Sequence, residues 1–304
     1  MGNQKPAVSI GLPVYNGARY LHETVDAILA QTFSDFELVI SDNTSTDLTE
    51  QICREYAKND PRVQYYRKEV NLGATRNHNR VFELARGKYF KWSSHDDVLA
   101  PEFLSKCVTV LNQDASIVLC HSKILRINEY GTVTGTDDSK TLGDLPKTHI
   151  RFGDLIRFGI PTTNIFGVIR RSTLQKTALF GHYIGTDRNL LAEISLFGRI
   201  YIILEYLFRK RIHSQRYSHK YFAKQFPDYE AALAWWTTGG KVGLPYVKRI
   251  YEYFKSVKRA PQKRKEQMLC YAQILKLLCK TVWRRIGRDV KTFLYYRQLK
   301  KRCT

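Results

Sequence analysis

Residues 88–101 read Lys88-Tyr-Phe-Lys-Trp-Ser-Ser-His-Asp-Asp-Val-Leu-Ala-Pro101. Tyr89–Trp92 is a short aromatic run of the kind that favours an extended strand. Two adjacent carboxylates, Asp96 and Asp97, follow at its C-terminal end. In an open α/β sheet, ligands bind outside the carboxyl ends of the strands. Paired acids at such an end suit a hard cation, Mg²⁺ or Mn²⁺, which prefers oxygen donors and shares its shell with substrate phosphates. A solvated Asp-Asp turn would look the same in isolation, so the decision falls to the flanking sequence.

On the N-terminal side, Ala7–Tyr15 is nearly all apolar and stops at Asn16-Gly17, the pattern of a buried strand and its turn. Leu21, Val25, Ile28 and Leu29 then repeat at helical spacing. Phe36–Ser41 is a second strand, followed by the polar turn Asp42–Asp47 and a helix over Leu48–Lys58. Val63–Arg67 is a third strand, and Asn71-Leu-Gly73 leads into a helix over Ala74–Ala85. Strand and helix alternating up to Trp92 predict a parallel sheet with helices on both faces. The first strand-to-helix turn, Gly11–Gly17, has neither the Gly-x-Gly-x-x-Gly of a dinucleotide site nor the Gly-Lys-Ser/Thr of a phosphate loop. A nicotinamide oxidoreductase and a P-loop ATPase are disfavoured.

On the C-terminal side the pattern predicts a helix over Pro101–Leu111, a strand over Ser116–Cys120 and a loop or lid over Tyr130–Pro146. A weak helix over Phe152–Phe158, a strand over Asn164–Arg170 and a helix around Ser172–Ala178 follow. Gly185-Thr-Asp187 precedes a helix over Arg188–Phe197, and Ile200–Phe208 is a last strand.

The chain of 304 residues is long enough for a full core, and its net charge of +21 is unevenly distributed. Residues 1–205 are nearly neutral, at +1, whereas residues 206–304 carry +20. Such a basic segment suggests an anionic partner: lipid headgroups, an acidic polymer or nucleic acid. The six cysteines form no Cys-x-x-Cys pair, which argues against a zinc ribbon and a disulfide scaffold and suits a reducing cytosol. No run reaches the roughly 18 apolar residues of a membrane span, and the N-terminus lacks an apolar signal core.

Five segments in register carry a resemblance. They are Val8–Asn16, Leu38–Asp47, Asn71–Asn77, Ala85–Tyr89 and His95–Asp97, and over about residues 7–215 their order and spacing are similar to the family 2 glycosyltransferases. The resemblance implies an α/β fold of the GT-A type, a mostly parallel sheet with helices on both faces. A basic helical C-terminal region would follow it. The expected division is a catalytic domain at 1–215 and an aromatic-rich basic region at 216–304.

It also implies a nucleotide-diphosphate-sugar donor (a UDP-sugar as default), a Mg²⁺ or Mn²⁺ ion, and inversion at the anomeric carbon. Pro13, Tyr15 and Asn16 match the first nucleotide-contacting loop, and Asp42 the acid that binds the base. Arg76 and Arg211 match positions beside the donor. Asp96 matches the metal-binding Asp of the family's Asp-x-Asp signature, with Asp97 and His213 as further metal candidates. Ser94 stands where the first signature Asp is usual, so one carboxylate ligand is missing, although a related subgroup has the same Ser-His-Asp-Asp pattern. Inverting transfer needs a base for the acceptor hydroxyl. Asp187 matches its position, with the cap of the following helix as its alternative role.

In the C-terminal third, Tyr221–Trp236 mixes aromatic and polar residues, and Tyr246–Phe254 and Gln267–Arg285 are expected helices. Met268, Tyr271, Ile274, Leu277 and Leu278 form an apolar stripe flanked by Lys276, Lys280, Arg284 and Arg285. A basic amphipathic helix of this kind lies on an anionic membrane or packs its stripe on the catalytic domain. The expected partners are thus the sugar donor, a glycan or lipid-linked acceptor and an anionic membrane surface, with the protein cytoplasmic or peripheral on the inner face of the plasma membrane. A nucleic-acid-binding protein is the competing class. It leaves Asp42, Asp96 and Asp187 without a role, and no nucleic acid is expected. A two-carboxylate glycosidase is disfavoured by the donor-type motifs.

Overall fold

The computed structural model describes residues 5–137, 143–159, 161–214, 216 and 244–279. The N-terminal half follows the alternation read from sequence: β1 (Val8–Val14), α1 (Ala18–Leu29), β2 (Phe36–Asp42), α2 (Thr49–Asn59), β3 (Val63–Arg67), α3 (Ala74–Leu84) and β4 (Tyr89–Trp92). A two-residue strand β5 (Val98–Leu99), α4 (Phe103–Gln113), β6 (Ile117–Ile127) and β7 (Val133–Asp137) come next. Then follow α5 (Thr148–Phe158), a 3₁₀ turn (Thr162–Phe166), β8 (Val168–Arg170), α6 (Arg171–Leu174), α7 (Thr186–Phe197) and β9 (Arg199–Arg211). Beyond residue 243 lie α8 (Pro245–Arg259) and α9 (residues 264–279).

One sheet runs β3-β2-β1-β4-β8-β6-β9-β5, with β7 added on β6. It is parallel through β3, β2, β1 and β4, and β6 pairs β9 in parallel. β8 runs antiparallel to both β4 and β6, so β4, β6 and β9 all point the same way.

β1 shows why helices cover both faces. Val8, Ile10, Leu12 and Val14 point into one core with α1, α2 and α4, through Leu21, Val25, Ile28, Ile52, Phe103 and Leu104. The alternate positions are Ser9, Gly11 and Pro13. A Cβ on Gly11 would lie 2.7 Å from Val81 and 2.8 Å from Phe90, so glycine is what lets α3 lie close to the strand. That second face packs α3, α5, α6 and α7 through Val81, Phe82, Leu155, Leu174, Leu190 and Ile194.

A third core joins the C-terminal helices to α5 and α7. Tyr246, Ile250, Tyr253 and Val257 of α8 and Cys270, Ile274 and Leu277 of α9 pack on Phe152, Ile156, Ala192 and Leu196. The stripe predicted on α9 is therefore buried at Ile274 and Leu277 but exposed at Met268. Residues 221–236 and 280–285 lie outside the described residues.

Candidate active site

The direction of the strands fixes what meets at one edge. β1, β2 and β4 end together, at Val14, Asp42 and Trp92, and β9 ends on the same side. The chain leaves β8 at the opposite edge, where Arg171 N donates to Lys88 O at 3.1 Å. It then returns along α3. Phe180 N donates to Asn79 Oδ1 at 3.0 Å, Asn79 Nδ2 donates to Phe180 O at 2.9 Å, and Thr75 Oγ1 donates to Gly181 O at 3.4 Å. Thr75 is in the first turn of α3, just past the end of β3, so α7 also starts at the edge where β1, β2, β4 and β9 end. Topology alone brings Asp187 to the edge that carries Asp42, Asp96 and His213.

The loops at this edge are laced together. Asn16, at φ +50°, donates its backbone N–H to Ser45 Oγ at 2.9 Å and accepts at Oδ1 from Thr46 N at 2.8 Å. Asn43 links the next loop through Asn71 Oδ1 at 2.7 Å and Leu72 N at 2.8 Å. Pro13 sits in β1 opposite Ser41, and Tyr15 is half-buried beside it. Asp42 is fully buried; it accepts from Ser45 N and from the Tyr65 hydroxyl, each at 2.8 Å, with Arg67 Nε at 3.6 Å. A carboxylate has about four acceptor positions, so these bonds orient Asp42 and leave capacity for a further donor. Arg76 is exposed on α3, and its charge lowers the pKa of His182 on the segment entering α7, after the larger effect of burial.

Asp96 and Asp97 are 4% and 3% exposed. Asp96 Oδ2 accepts from His213 Nε2 at 2.9 Å, and Ser94 Oγ donates to Oδ1. The residue in place of the first signature Asp thus holds the second one in orientation. Asp97 Oδ1 accepts from Arg211 N at 3.0 Å and from Arg216 Nη1 at 3.2 Å, and its carbonyl accepts from Thr24 Oγ1 at 3.0 Å. Burial by itself raises both acids. At Asp96 the His213 hydrogen bond and the Arg216 charge overturn it and hold the carboxyl well below its usual range. At Asp97 burial prevails and the pKa is raised.

The resemblance puts Arg211 beside the donor, and in the structure its guanidinium is engaged by the protein. Arg211 is 1% exposed. Its Nε donates to Asp96 O at 3.0 Å, Nη1 to Asn128 O and Glu129 O at 3.2 Å each, and Nη2 to Glu23. The guanidinium also lies 4.7 Å over the Tyr20 ring. With its donors engaged this way it acts as a strut beneath the acidic loop. Asp97 is likewise occupied by Arg211 and Arg216. Glu23 and Thr24, which touch the acidic loop, carry no signal in the sequence; Arg216 lies in the polar loop after His213 that the sequence places near donor phosphates.

A divalent cation fits Asp96 and His213 better than it fits Asp97. Asp96 Oδ2 and His213 Nε2 already converge. The other ring nitrogen, His213 Nδ1, is buried with no hydrogen-bond partner among the described residues, as is the neighbouring Tyr20 hydroxyl. Those residues contain no group of three His, Cys, Asp or Glu that would cage a metal. Two donors suit a cation that completes its shell with substrate phosphate and water.

Asp187 lies in the first turn of α7, because the helix starts at Thr186 and not at Arg188. Gly185 is the cap residue, at φ +82° and ψ 18°, a left-handed conformation that glycine adopts without strain. Thr186 Oγ1 accepts from Gly181 N at 2.6 Å, which fixes the turn. The Asp187 carboxylate is half-buried and accepts from Arg188 N at 2.8 Å. Burial raises its pKa, against the lowering effects of Arg188 and Arg249.

The family model described as glycosyl transferase family 2 matches residues 9–176. A relative described as an uncharacterised glycosyltransferase of Rickettsia prowazekii is 30% identical over 230 residues, covering 74% of this chain and 70% of that protein. Another, from Rickettsia felis, is 30% identical over 227 residues and covers 71% of this chain. This chain spans only 36% of the length of that protein. Among solved structures, S. aureus TarS 1–349 in complex with UDP superposes with a TM-score of 0.58 at 18% identity, covering 97% of this chain and 92% of that one. The mannosyltransferase PcManGT from Pyrobaculum calidifontis, in complex with GDP-Man and Mn²⁺, superposes with a TM-score of 0.53 at 15% identity, covering 96% of this chain and 88% of that one. These likenesses give the fold as GT-A. Among the described residues no helix is long and apolar enough to cross a membrane.

Proposed function

The chain belongs to glycosyl transferase family 2, and from that premise we propose that it moves a sugar from a nucleotide-diphosphate donor to an acceptor hydroxyl with inversion. The observation that carries this is the shared edge: the oriented acids Asp42 and Asp96 and the half-buried acid Asp187 all lie where β1, β2, β4 and β9 end and α7 begins. The donor nucleotide is held by the Pro13–Asn16 loop and Asp42, with Arg76 at its rim. UDP and UDP-GlcNAc in the TarS complexes favour a UDP-sugar.

Asp96 and His213 would hold a Mg²⁺ or Mn²⁺ ion, a reading favoured by the Mn²⁺ in the PcManGT complex. The ion supplies positive charge that offsets the charge developing on the departing diphosphate. Arg216, 3.2 Å from Asp97 and 3.8 Å from Asp96, adds a fixed cation there. Asp187 accepts the proton of the acceptor hydroxyl as its oxygen bonds the anomeric carbon and the bond to the diphosphate breaks. The raised pKa of Asp187 makes it a stronger base than an ordinary carboxylate.

The catalytic unit comprises residues 1–215, and 216–304 serves the acceptor side. The acceptor is a glycan or lipid-linked glycan of polysaccharide, glycolipid or cell-envelope synthesis, reached from the cytoplasmic face of the membrane. The test is Asp187→Asn. It is expected to abolish transfer while leaving UDP-sugar binding, read by a Mn²⁺-dependent rise in melting temperature, intact. Full activity in this variant would remove Asp187 from the mechanism.

A further inference from the structure

Beside the start of α7 a small cleft of about 70 Å³ opens between the C-terminal end of α5, α7 and α8. That is well below the size of a pocket for a whole drug-sized ligand and suits one small group of a larger molecule. Three arginines from three elements line it: Arg157, Arg188 and Arg249. No carboxylate is among the described residues that line it. Arg157 is half-engaged, by Gly153 O at 3.0 Å and Asp154 at 2.9 Å, and Arg188 is exposed. Arg249 Nη1 lies 3.8 Å from where a Cβ on Gly185 would sit, and its charge acts on Asp187. Asn189 Nδ2 donates to Arg249 O at 3.1 Å, which fixes α8 against the first turn of α7. Phe158, 72% exposed, stands at the rim.

We infer that this cleft binds a phosphate group carried by the acceptor, which sets the acceptor hydroxyl against Asp187. Guanidinium groups match phosphate oxygens in forked pairs; Arg157 is shared with Asp154, but the exposed Arg188 and the half-buried Arg249 at the head of α7 leave donors for an anion. The cleft is built from α5, α7 and α8, whereas the donor loops follow β1, β2, β4 and β9, so this is a separate anion site from that of the donor diphosphate. It explains why the basic C-terminal chain packs on the helix that carries the base. The inference rests on the glycosyltransferase reading of Asp187.

The experiment uses the full chain and two probes, UDP with Mn²⁺ for the donor side and glycerol 3-phosphate for the cleft, each titrated to saturation. Phosphatidylcholine vesicles with and without phosphatidic acid form a second arm. Glycerol 3-phosphate is expected to bind with UDP present, and Arg157→Gln/Arg249→Gln to weaken it about ten-fold or more through the lost charged hydrogen bonds. Arg188→Gln, an exposed change that the fold tolerates, is expected to weaken it as well. Binding of phosphatidic acid vesicles alone, lost in the same variants, supports a lipid-borne phosphate. Binding of glycerol 3-phosphate supports a soluble phosphorylated glycan. If the wild-type chain binds UDP but neither phosphate probe, or if the variants bind as well as wild type, the inference is overturned. If the wild-type chain does not bind UDP with Mn²⁺, the glycosyltransferase reading itself fails.

Discussion

A carboxylate serves as a base only if it is ionised and still basic, and Asp187 is set between those demands. Burial raises its pKa, and the Arg188 N–H and the Arg249 charge limit the rise. The acid limb of kcat/KM is therefore expected above the ordinary Asp value of about 4. Arg249→Gln removes one lowering effect and should move that limb to higher pH; an unmoved limb in a pH–rate profile would detach the two residues. Across the site, His213→Ala takes away the imidazole nitrogen bonded to the Asp96 carboxylate, so the Mn²⁺ concentration needed for half-maximal UDP binding should rise about ten-fold or more. That Asp96 and His213 lie close together was visible in the sequence, because each follows a strand of the same sheet. The position of Arg211 beside the acids is visible in the sequence, but its enclosure by Glu23, Asn128 and Glu129 depends on partners from 82 to 188 residues away.

Among the elements, those with a clear period were legible and those with short or polar strands were not. β3 and β4 begin and end where the residue pattern predicts. β5 has two residues, too few for a pattern, and β7 is Val-Thr-Gly-Thr-Asp inside a stretch that reads as a loop. β6 extends to Ile127, well past Cys120, because its polar residues His121, Ser122 and Lys123 pair with β9. The start of α7 was misjudged because Gly185 caps in a left-handed conformation that the sequence does not display. Gly185→Ala is expected to cost about 1–2 kcal/mol by forcing a Cβ into that region, read as a lower melting temperature. Another element-level joint is Glu37 on β2, which accepts from Ser9 at 2.6 Å and from Arg86 N, Nε and Nη2 at 2.9, 3.0 and 2.7 Å. Burial raises Glu37, but these bonds overturn it and the folded pKa is lowered. The stability it contributes is therefore present above the unfolded pKa and is lost as pH falls through the folded one. Glu37→Gln should flatten the acid side of the stability–pH curve while lowering stability at pH 7; an unchanged curve would show that Glu37 is not the linked group.

Across the full chain, the α9 stripe takes the packed alternative of the two that the sequence leaves open. The charge step near residue 205 suggests a boundary, and charge is a sound guide to partners but not to packing. Ile274 and Leu277 are 0% and 3% exposed, against α5 and α7. Arg259 pairs with Glu193 of α7, and Gln262 donates to Leu196 O. Ile274 and Leu277, engaged in this way, are not free to enter a bilayer, so attraction of the described helices to anionic vesicles is expected to come mainly from their basic faces. It should fall steeply with salt. The same packing decides what happens to a chain cut at residue 215. Phe152, Ile156, Ala192 and Leu196 would lose their covering residues, leaving an apolar patch of the kind that drives association. Such a fragment is expected to aggregate or to melt well below the full chain. Ile274→Ala, which opens a cavity in the same core, should cost about 2–5 kcal/mol in urea unfolding. A fragment of residues 1–215 that stays monomeric with the melting temperature of the full chain would mean that α5 and α7 keep their places unaided, and the position of Asp187 would then not depend on the C-terminal helices.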